Sequence, residues 1–166
     1  MPAVTRPGNV DEEVGPLLIE HILHRKGDDV VSVAPDATVA DAVALLRRHN
    51  IGALVVAAGT TGPPVAGILS ERDVVRALGD AAPGAGDDPL AGPVSALMST
   101  EVTTCTSGDS VDHLMRVMTV RRIRHIPVVD ADRLVGIVSI GDIVKSRIDE
   151  LETEASTLHD YLASGR

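Results

Sequence analysis

GILSERD at 67–73 and GIVSIGD at 136–142 are two copies of one phrase, Gly-apolar-apolar-Ser-x-x-Asp. Each follows an apolar run and leads into an apolar-periodic segment. A repeat at this distance means that the chain is built from two copies of one structural unit. A strand-to-helix turn carrying a hydroxyl and a carboxylate at a fixed offset is suited to a sugar-phosphate. Helix capping explains one Asp at the start of each helix. It does not by itself explain a Ser three residues earlier in both copies.

The duplication extends upstream. Thr38-Val39 answers to Ser110-Val111, and from Val39 to Ile51 the second copy lies 72 residues on. At Gly67 and Gly136 the separation is 69. The first copy therefore carries three extra residues, which fall at TTGPP (60–64), a turn that tolerates insertion between paired strands. Val39, Ala42, Val43 and Leu46 stand at i, i+3, i+4 and i+7. Val111, Leu114, Met115 and Met118 repeat that spacing, so each unit has a helix with one buried face. Thr38 and Asp41 form a capping-box-like pair at the first of these helices. Runs at 53–57 and 65–69, matched by 126–129 and 134–138, read as strand pairs around the turns AGTTGPP and DADR. Shorter candidates are a strand at 30–33 and a helix over 16–26, and helices follow at 73–78 and from 142 onward. Each unit thus reads strand–helix–strand–strand–helix, a mixed α/β fold.

The resulting divisions are a flexible arm at 1–16, a first repeat at 17–78 and a linker at 79–93 rich in Gly, Pro and Asp. A second repeat at 94–148 and an amphipathic helix at 149–166 follow. Ile148, Leu151, Ala155, Leu158 and Leu162 step 3, 4, 3, 4 along that helix. This heptad seam packs either on the chain's own core or on a second copy.

Composition narrows the function. Of 166 residues, 44% are hydrophobic, yet Phe and Trp are absent and Tyr161 is the only aromatic. A bound base would lie between aliphatic side chains. A net charge of −9 argues against nucleic acid or an anionic membrane as the main partner. No run approaches a membrane span, and MPAVTRPGNVDEEV (1–14) lacks the apolar region of a signal peptide. Cys105 is the sole cysteine, so there is no intrachain disulfide and no thiolate metal framework. Cytoplasmic residence is the simplest expectation.

Two units that each close on Gly-apolar-apolar-Ser-x-x-Asp resemble a tandem pair of cystathionine-β-synthase (CBS) domains, a Bateman module. APDATVADAVALL, NIGALVV and GILSERDVV carry the first repeat. TSGDSVDHLM, IRHIPVV and GIVSIGDIV carry the second. The likeness covers about residues 17–150. With SERD, RIRHIPVV, SIGDIVKS and the terminal helix, it extends to small stand-alone bacterial CBS pairs associated with adenine nucleotides. The resemblance implies a regulatory fold in which two repeats pack about a pseudo-two-fold axis and leave two clefts. It implies that the motif Asp holds ribose hydroxyls and that the motif Ser lies near the ribose or phosphate. By position these are Ser70 and Asp73 in one cleft, and Ser139 and Asp142 in the other. It also implies a basic side chain toward phosphate at His125. Ala53 stands at the equivalent place in the first repeat, so the clefts are expected to differ. The ligand expected is an adenine nucleotide, AMP, ATP or NAD(H). A homodimer and a separate effector protein are the expected partners.

Arg72 lies inside SERD and is a further phosphate candidate. Arg121, Arg122, Arg124 and His125 form a basic run in an acidic chain. The helix C-terminal dipole accounts for Arg121 or Arg122. On a strand starting near Ile123, Arg124 and His125 would face opposite ways, so only one would enter a given cleft, and His125 is the choice. His21 and His24 lack a third ligand at metal spacing and read as surface residues. Cys105 reads as core packing. No nucleophile elbow, P-loop, H-E-x-x-H or dinucleotide fingerprint is present, so no catalytic residue and no metal site is assigned.

Overall fold

The computed structural model describes residues 15–27, 29–57, 59, 64–81 and 88–164. Most of the expected arm, residues 60–63 of the TTGPP turn and the middle of the linker lie outside the described residues.

The first repeat contains β1 (Ser32–Val33), α2 (Val39–His49), β2 (Ala53–Val56), β3 (Gly67–Ser70) and α3 (Glu71–Asp80). Before it comes α1 (Ile19–Lys26). A short 3-10 turn, Val94–Ala96, precedes the second repeat, which contains α4 (Val111–Arg121), β4 (His125–Asp130), β5 (Arg133–Ser139) and α5 (Ile140–Ser164). β1 pairs parallel with β2, and β2 pairs antiparallel with β3. β4 and β5 form the matching antiparallel pair, with His125 opposite Ser139 as Ala53 is opposite Ser70. Cys105 bridges Val128 in parallel, 72 residues on from the Val33–Val56 pair. The expected mixed α/β unit is therefore present twice.

Local sequence explains the helix starts. Thr38 Oγ1 accepts from the Asp41 amide at 3.1 Å, and Asp41 accepts in return from the Thr38 amide, which closes a capping box. Ser110 caps α4 by accepting from the His113 amide at 3.2 Å. Both helices end in a left-handed residue, Asn50 at φ 52° and Arg122 at φ 55°. Asn enters that region readily; Arg does so at a cost of order 1–2 kcal/mol.

The packing crosses the repeats. Ile19 and Ile22 of α1 are buried in the core of the second repeat, with Val111, Leu114, Met118, Ile126, Val138 and Ile143. Val94 is buried in the first repeat's core, with Val39, Ala42, Leu46, Leu54 and Leu69. The segment that opens each repeat thus completes the other one. Its backbone is tied down as well. The amides of Ile19 and Glu20 donate to Asp109 O and Ser107 O, and those of Val39 and Ala40 donate to Gly92 O and Leu90 O. The last residues of the linker are therefore part of the folded body.

This crossing gives the motif glycines their role. A Cβ on Gly67 would lie 2.7 Å from Met98 Sδ, and one on Gly136 would lie 2.5 Å from Leu23 Cδ2. Each glycine admits the side chain of the crossing segment.

The terminal helix runs on from the motif turn without interruption. α5 is one helix of 25 residues that includes the closing helix of the second repeat. Nothing between Gly141 and Ser164 breaks it. At about 1.5 Å per residue it extends beyond the body, and residues 151–164 are exposed. Leu158 and Leu162 do not pack on the chain's own core; they are 63% and 74% exposed.

Candidate functional site

β3 ends at Ser70 and α3 begins at Glu71, so the SERD stretch forms the turn between them. Ser70 is the N-cap of α3 and Asp73 its third residue. Asp73 Oδ2 accepts from the Ser70 amide at 2.8 Å and from Ser70 Oγ at 2.6 Å. Ser139 and Asp142 repeat this at 2.8 and 2.7 Å. The Ser-to-Asp spacing is therefore a capping-box device, contrary to the expectation that capping leaves it unexplained. The box occupies one carboxylate oxygen only. Among the described residues Asp73 Oδ1 has no hydrogen bond and remains an open acceptor.

Asp73 faces a cleft of about 320 Å³ between the repeats, within the range of roughly 300–1,000 Å³ of small-molecule sites. Ile68, Ser70, Glu71, Arg72, Asp73 and Arg76 line it from the first repeat, and Thr103, Arg122, Arg124 and His125 from the second. Four of the six candidates, Ser70, Arg72, Asp73 and His125, thus share one cleft. Ser139 and Asp142 lie at the other motif turn. Arg124 and His125 line the same cleft, which corrects the opposite-face expectation. The β4 ladder begins at His125, so Arg124 precedes the alternation, and its carbonyl accepts from Ile140 N at 2.9 Å.

Arg76 carries no signal of its own in the sequence, and Arg122 reads there as a helix-end residue. Arg76 is one turn beyond Arg72 on α3, a spacing that puts both on one face. Arg122 reaches the cleft because its left-handed backbone turns the chain at the end of α4. Among the described residues none of Arg72, Arg76, Arg122 and Arg124 forms an ion pair. The cleft also holds the carboxylates of Glu71, Asp73 and Glu101, so four guanidinium groups face three acidic groups there without forming an ion pair among the described residues.

His125 packs against Gly52: a Cβ there would lie 3.4 Å from its Cε1. Its pKa lies below the ordinary value. Burial is the main cause and the Lys26 charge adds to it, against the opposing pull of Asp142 and Glu71. The ring is neutral at pH 7 and works there as a hydrogen-bonding group rather than a cation.

The second motif turn is different. Lys26 Nζ donates to Asp142 Oδ2 at 2.7 Å and to Ile137 O at 3.1 Å. Burial pushes the Asp142 carboxyl up, but the hydrogen bonds from Lys26 and Ser139 outweigh it and hold the group below its ordinary value. At positions equivalent to Arg122, Arg124, His125 and Arg72 stand Asn50, Gly52, Ala53 and Gly141.

Residues 19–80 and 94–149 each match the CBS domain. The chain belongs to the CBS-domain family. It is 37% identical over 132 residues to the mitochondrial CBS domain-containing protein CBSX3 of Arabidopsis thaliana, covering 78% of this chain and 62% of that protein. It is 35% identical over 130 residues to YhcV of Bacillus subtilis, covering 78% and 86%. The CBS pair superposes on the CBS-domain protein ATU1752 of Agrobacterium tumefaciens with a TM-score of 0.73 at 40% identity, covering 84% of this chain and 99% of that one. The CBS domain pair of protein MJ0100, solved with 5-methylthioadenosine and S-adenosyl-L-methionine, has the same fold (TM-score 0.68, 24% identity, 81% and 98% covered).

The other residues weighed have structural positions. His21 Nδ1 accepts from the Leu18 amide at 3.2 Å and so caps α1. Cys105 is buried, and its thiol is pushed up to about 12, mainly by burial and then by Asp109 and Asp130. Among the described residues no group of three His, Cys, Asp or Glu side chains could hold a metal. No described helix is long and apolar enough to cross a membrane.

Proposed function

We propose that this CBS pair is a regulatory module that binds an adenosine-containing, phosphate-bearing ligand (AMP, ATP or NAD(H)) in the cleft at Asp73. The observation that carries this reading is the shared cleft itself: an open carboxylate oxygen at Asp73 and four unpaired guanidinium groups. Asp73 Oδ1 takes the ribose hydroxyls. Arg72, Arg122 and Arg124, with His125 as a neutral partner, take phosphate oxygens, and Ser70 fixes the Asp73 rotamer. The helix N-terminus adds favourable charge for an anion. The adenosine compounds held by MJ0100 are in keeping with a nucleoside in such a fold.

The role is sensing rather than catalysis. Ser70 Oγ donates to Asp73 Oδ2, the oxygen that also accepts from the Ser70 amide, so the hydroxyl serves the capping box. Occupancy is passed to a separate effector, or through assembly into a homodimer. Val144, Ile148 and Leu151 on α5 are each about half exposed, and the continuous helix offers a self-complementary face for an isologous contact.

Calorimetry with AMP, ATP, NAD, NADH and S-adenosylmethionine tests the reading. The phosphate-bearing compounds should bind, weaken with added salt, and weaken further in Arg122→Ala/Arg124→Ala. At one hundred times its dissociation constant a ligand should stabilise the fold by about 2.7 kcal/mol. No heat and no melting shift across the panel would overturn it.

A further inference from the structure

His125 stands where the two repeats meet. It opens β4 and lies opposite Ser139 of the second motif, while its ring reaches Gly52 of the first repeat. A Cβ on Gly52 would lie 3.4 Å from His125 Cε1, 3.6 Å from His125 Nε2 and 3.6 Å from Glu71 Oε2. The missing side chain thus lets an imidazole of one repeat and a carboxylate of the other close on one point. Glu71 is fixed there, because its amide donates to Gly52 O at 3.0 Å, and among the described residues it forms no ion pair. Both side chains line the first cleft with Arg72, Asp73, Arg76, Glu101, Arg122 and Arg124. From outside the cleft Lys26 and Asp142 also act on the ring, but they are joined to each other at 2.7 Å.

We propose that a phosphate-bearing ligand entering the first cleft brings a proton with it from solvent, which His125 holds between the ligand phosphate and the Glu71 carboxylate. This rests on the reading of the first cleft given above. The ring meets the ligand neutral at pH 7. Burial opposes a charge on it most, then Lys26, with Arg124 adding to them against Asp142 and Glu71. A bound phosphate reverses the balance. It adds roughly 1.5 to 2 negative charges and engages the guanidinium groups, Arg124 among them. An opposite charge beside an imidazole favours its protonated form. The guanidinium groups keep their charge throughout, so His125 is the cation that this cleft gains only when a phosphate fills it. Proton and ligand then strengthen each other by the same factor. The cleft grips a nucleotide more tightly as pH falls toward about 6, and an uncharged nucleoside gains nothing.

Proton NMR of the imidazole Cε1–H signals of the full-length protein, titrated from about pH 5 to 8, tests this. The chain has six histidines. The signal missing from His125→Gln, or from His125→Asn if that variant fails to fold, is that of His125. With saturating AMP its midpoint should rise by about 1–3 pH units. With adenosine it should stay where it is in the free protein, and in Glu71→Gln the rise with AMP should be smaller. In calorimetry, lowering the pH from about 8 to 5 should favour AMP binding to wild type roughly tenfold or more beyond its effect on His125→Gln, which carries the titration of the phosphate itself. AMP bound with an unmoved His125 signal, or an equal rise with adenosine, would overturn the proton linkage and leave the first-cleft reading standing. An equal rise in Glu71→Gln would overturn the part given to Glu71. No AMP bound at any pH would overturn both the linkage and the first-cleft reading.

Discussion

The crossed packing predicts where a single core deletion will be felt. Ile22 is the fourth residue of α1, 1% exposed, and lies against the second repeat although it stands at the start of the first in the chain. Ile22→Ala removes buried aliphatic volume and leaves a cavity that α1 cannot fill, because Ile19 and the backbone bonds to Ser107 and Asp109 hold it in place. Such deletions cost about 2–5 kcal/mol, a large part of a total of roughly 5–15 kcal/mol. For a chain of this length the melting temperature should fall by roughly 4–20 °C. Urea unfolding gives the free energy, and hydrogen exchange read by mass spectrometry locates the loss. Protection should drop first in α4, β4 and β5, with α2 and β2 affected only when the whole chain unfolds. Val94→Ala should produce the mirror image and loosen α2 and β2 first. A loss at α2, β2 and β3 in Ile22→Ala, or a cost below 1 kcal/mol, would refute the crossing.

Three further outcomes are expected. Asp73→Ala should weaken AMP by about 1.5–3 kcal/mol, the worth of hydrogen bonds to a charged acceptor, or roughly 10- to 150-fold; Asp142→Ala should leave AMP affinity within twofold, and equal losses in calorimetry would contradict the assignment of clefts. Because the folded pKa of His125 lies below its ordinary value, the unfolded chain takes up a proton first as pH falls through about 6.5. Stability should therefore drop more steeply below that pH in wild type than in His125→Gln, and superimposable pH–stability curves would be the contrary result. Light scattering should give about twice 17.3 kDa for wild type and a folded monomer for Leu151→Asp/Leu158→Asp; a wild-type monomer at all micromolar concentrations would remove α5 as a dimer face.

Much of the architecture was legible because the same local signals occur twice. The buried faces of α2 and α4, the strand pairs and the Thr38 cap follow from periodicity and capping chemistry, and the repeat made each reading a check on the other. The crossing was not legible. Leu18, Ile22 and Leu23 signal an apolar helical face, but an apolar stripe does not name the core that covers it. The glycines at 67 and 136 are the only trace of it in the sequence. At the site, Arg122 and Arg124 are hidden from sequence because β4 begins at His125, two residues after the apolar run suggests, and because a helix end offers basic residues an ordinary use. Lys26 gives no local signal, since its partner Asp142 lies 116 positions away. Capping accounts from sequence for the Asp of each motif and not for the Ser before it, whereas the structure uses both in one capping box. One oxygen of the Asp73 carboxylate caps, and the other has no hydrogen bond among the described residues.

The most direct test of the account is a crystal structure of the protein grown with AMP. The account predicts the ribose hydroxyls within hydrogen-bonding distance of Asp73 Oδ1, the phosphate among Arg122, Arg124 and His125, and Lys26 still on Asp142. A nucleotide ordered on Asp142 with Lys26 displaced and the Asp73 cleft empty would contradict it.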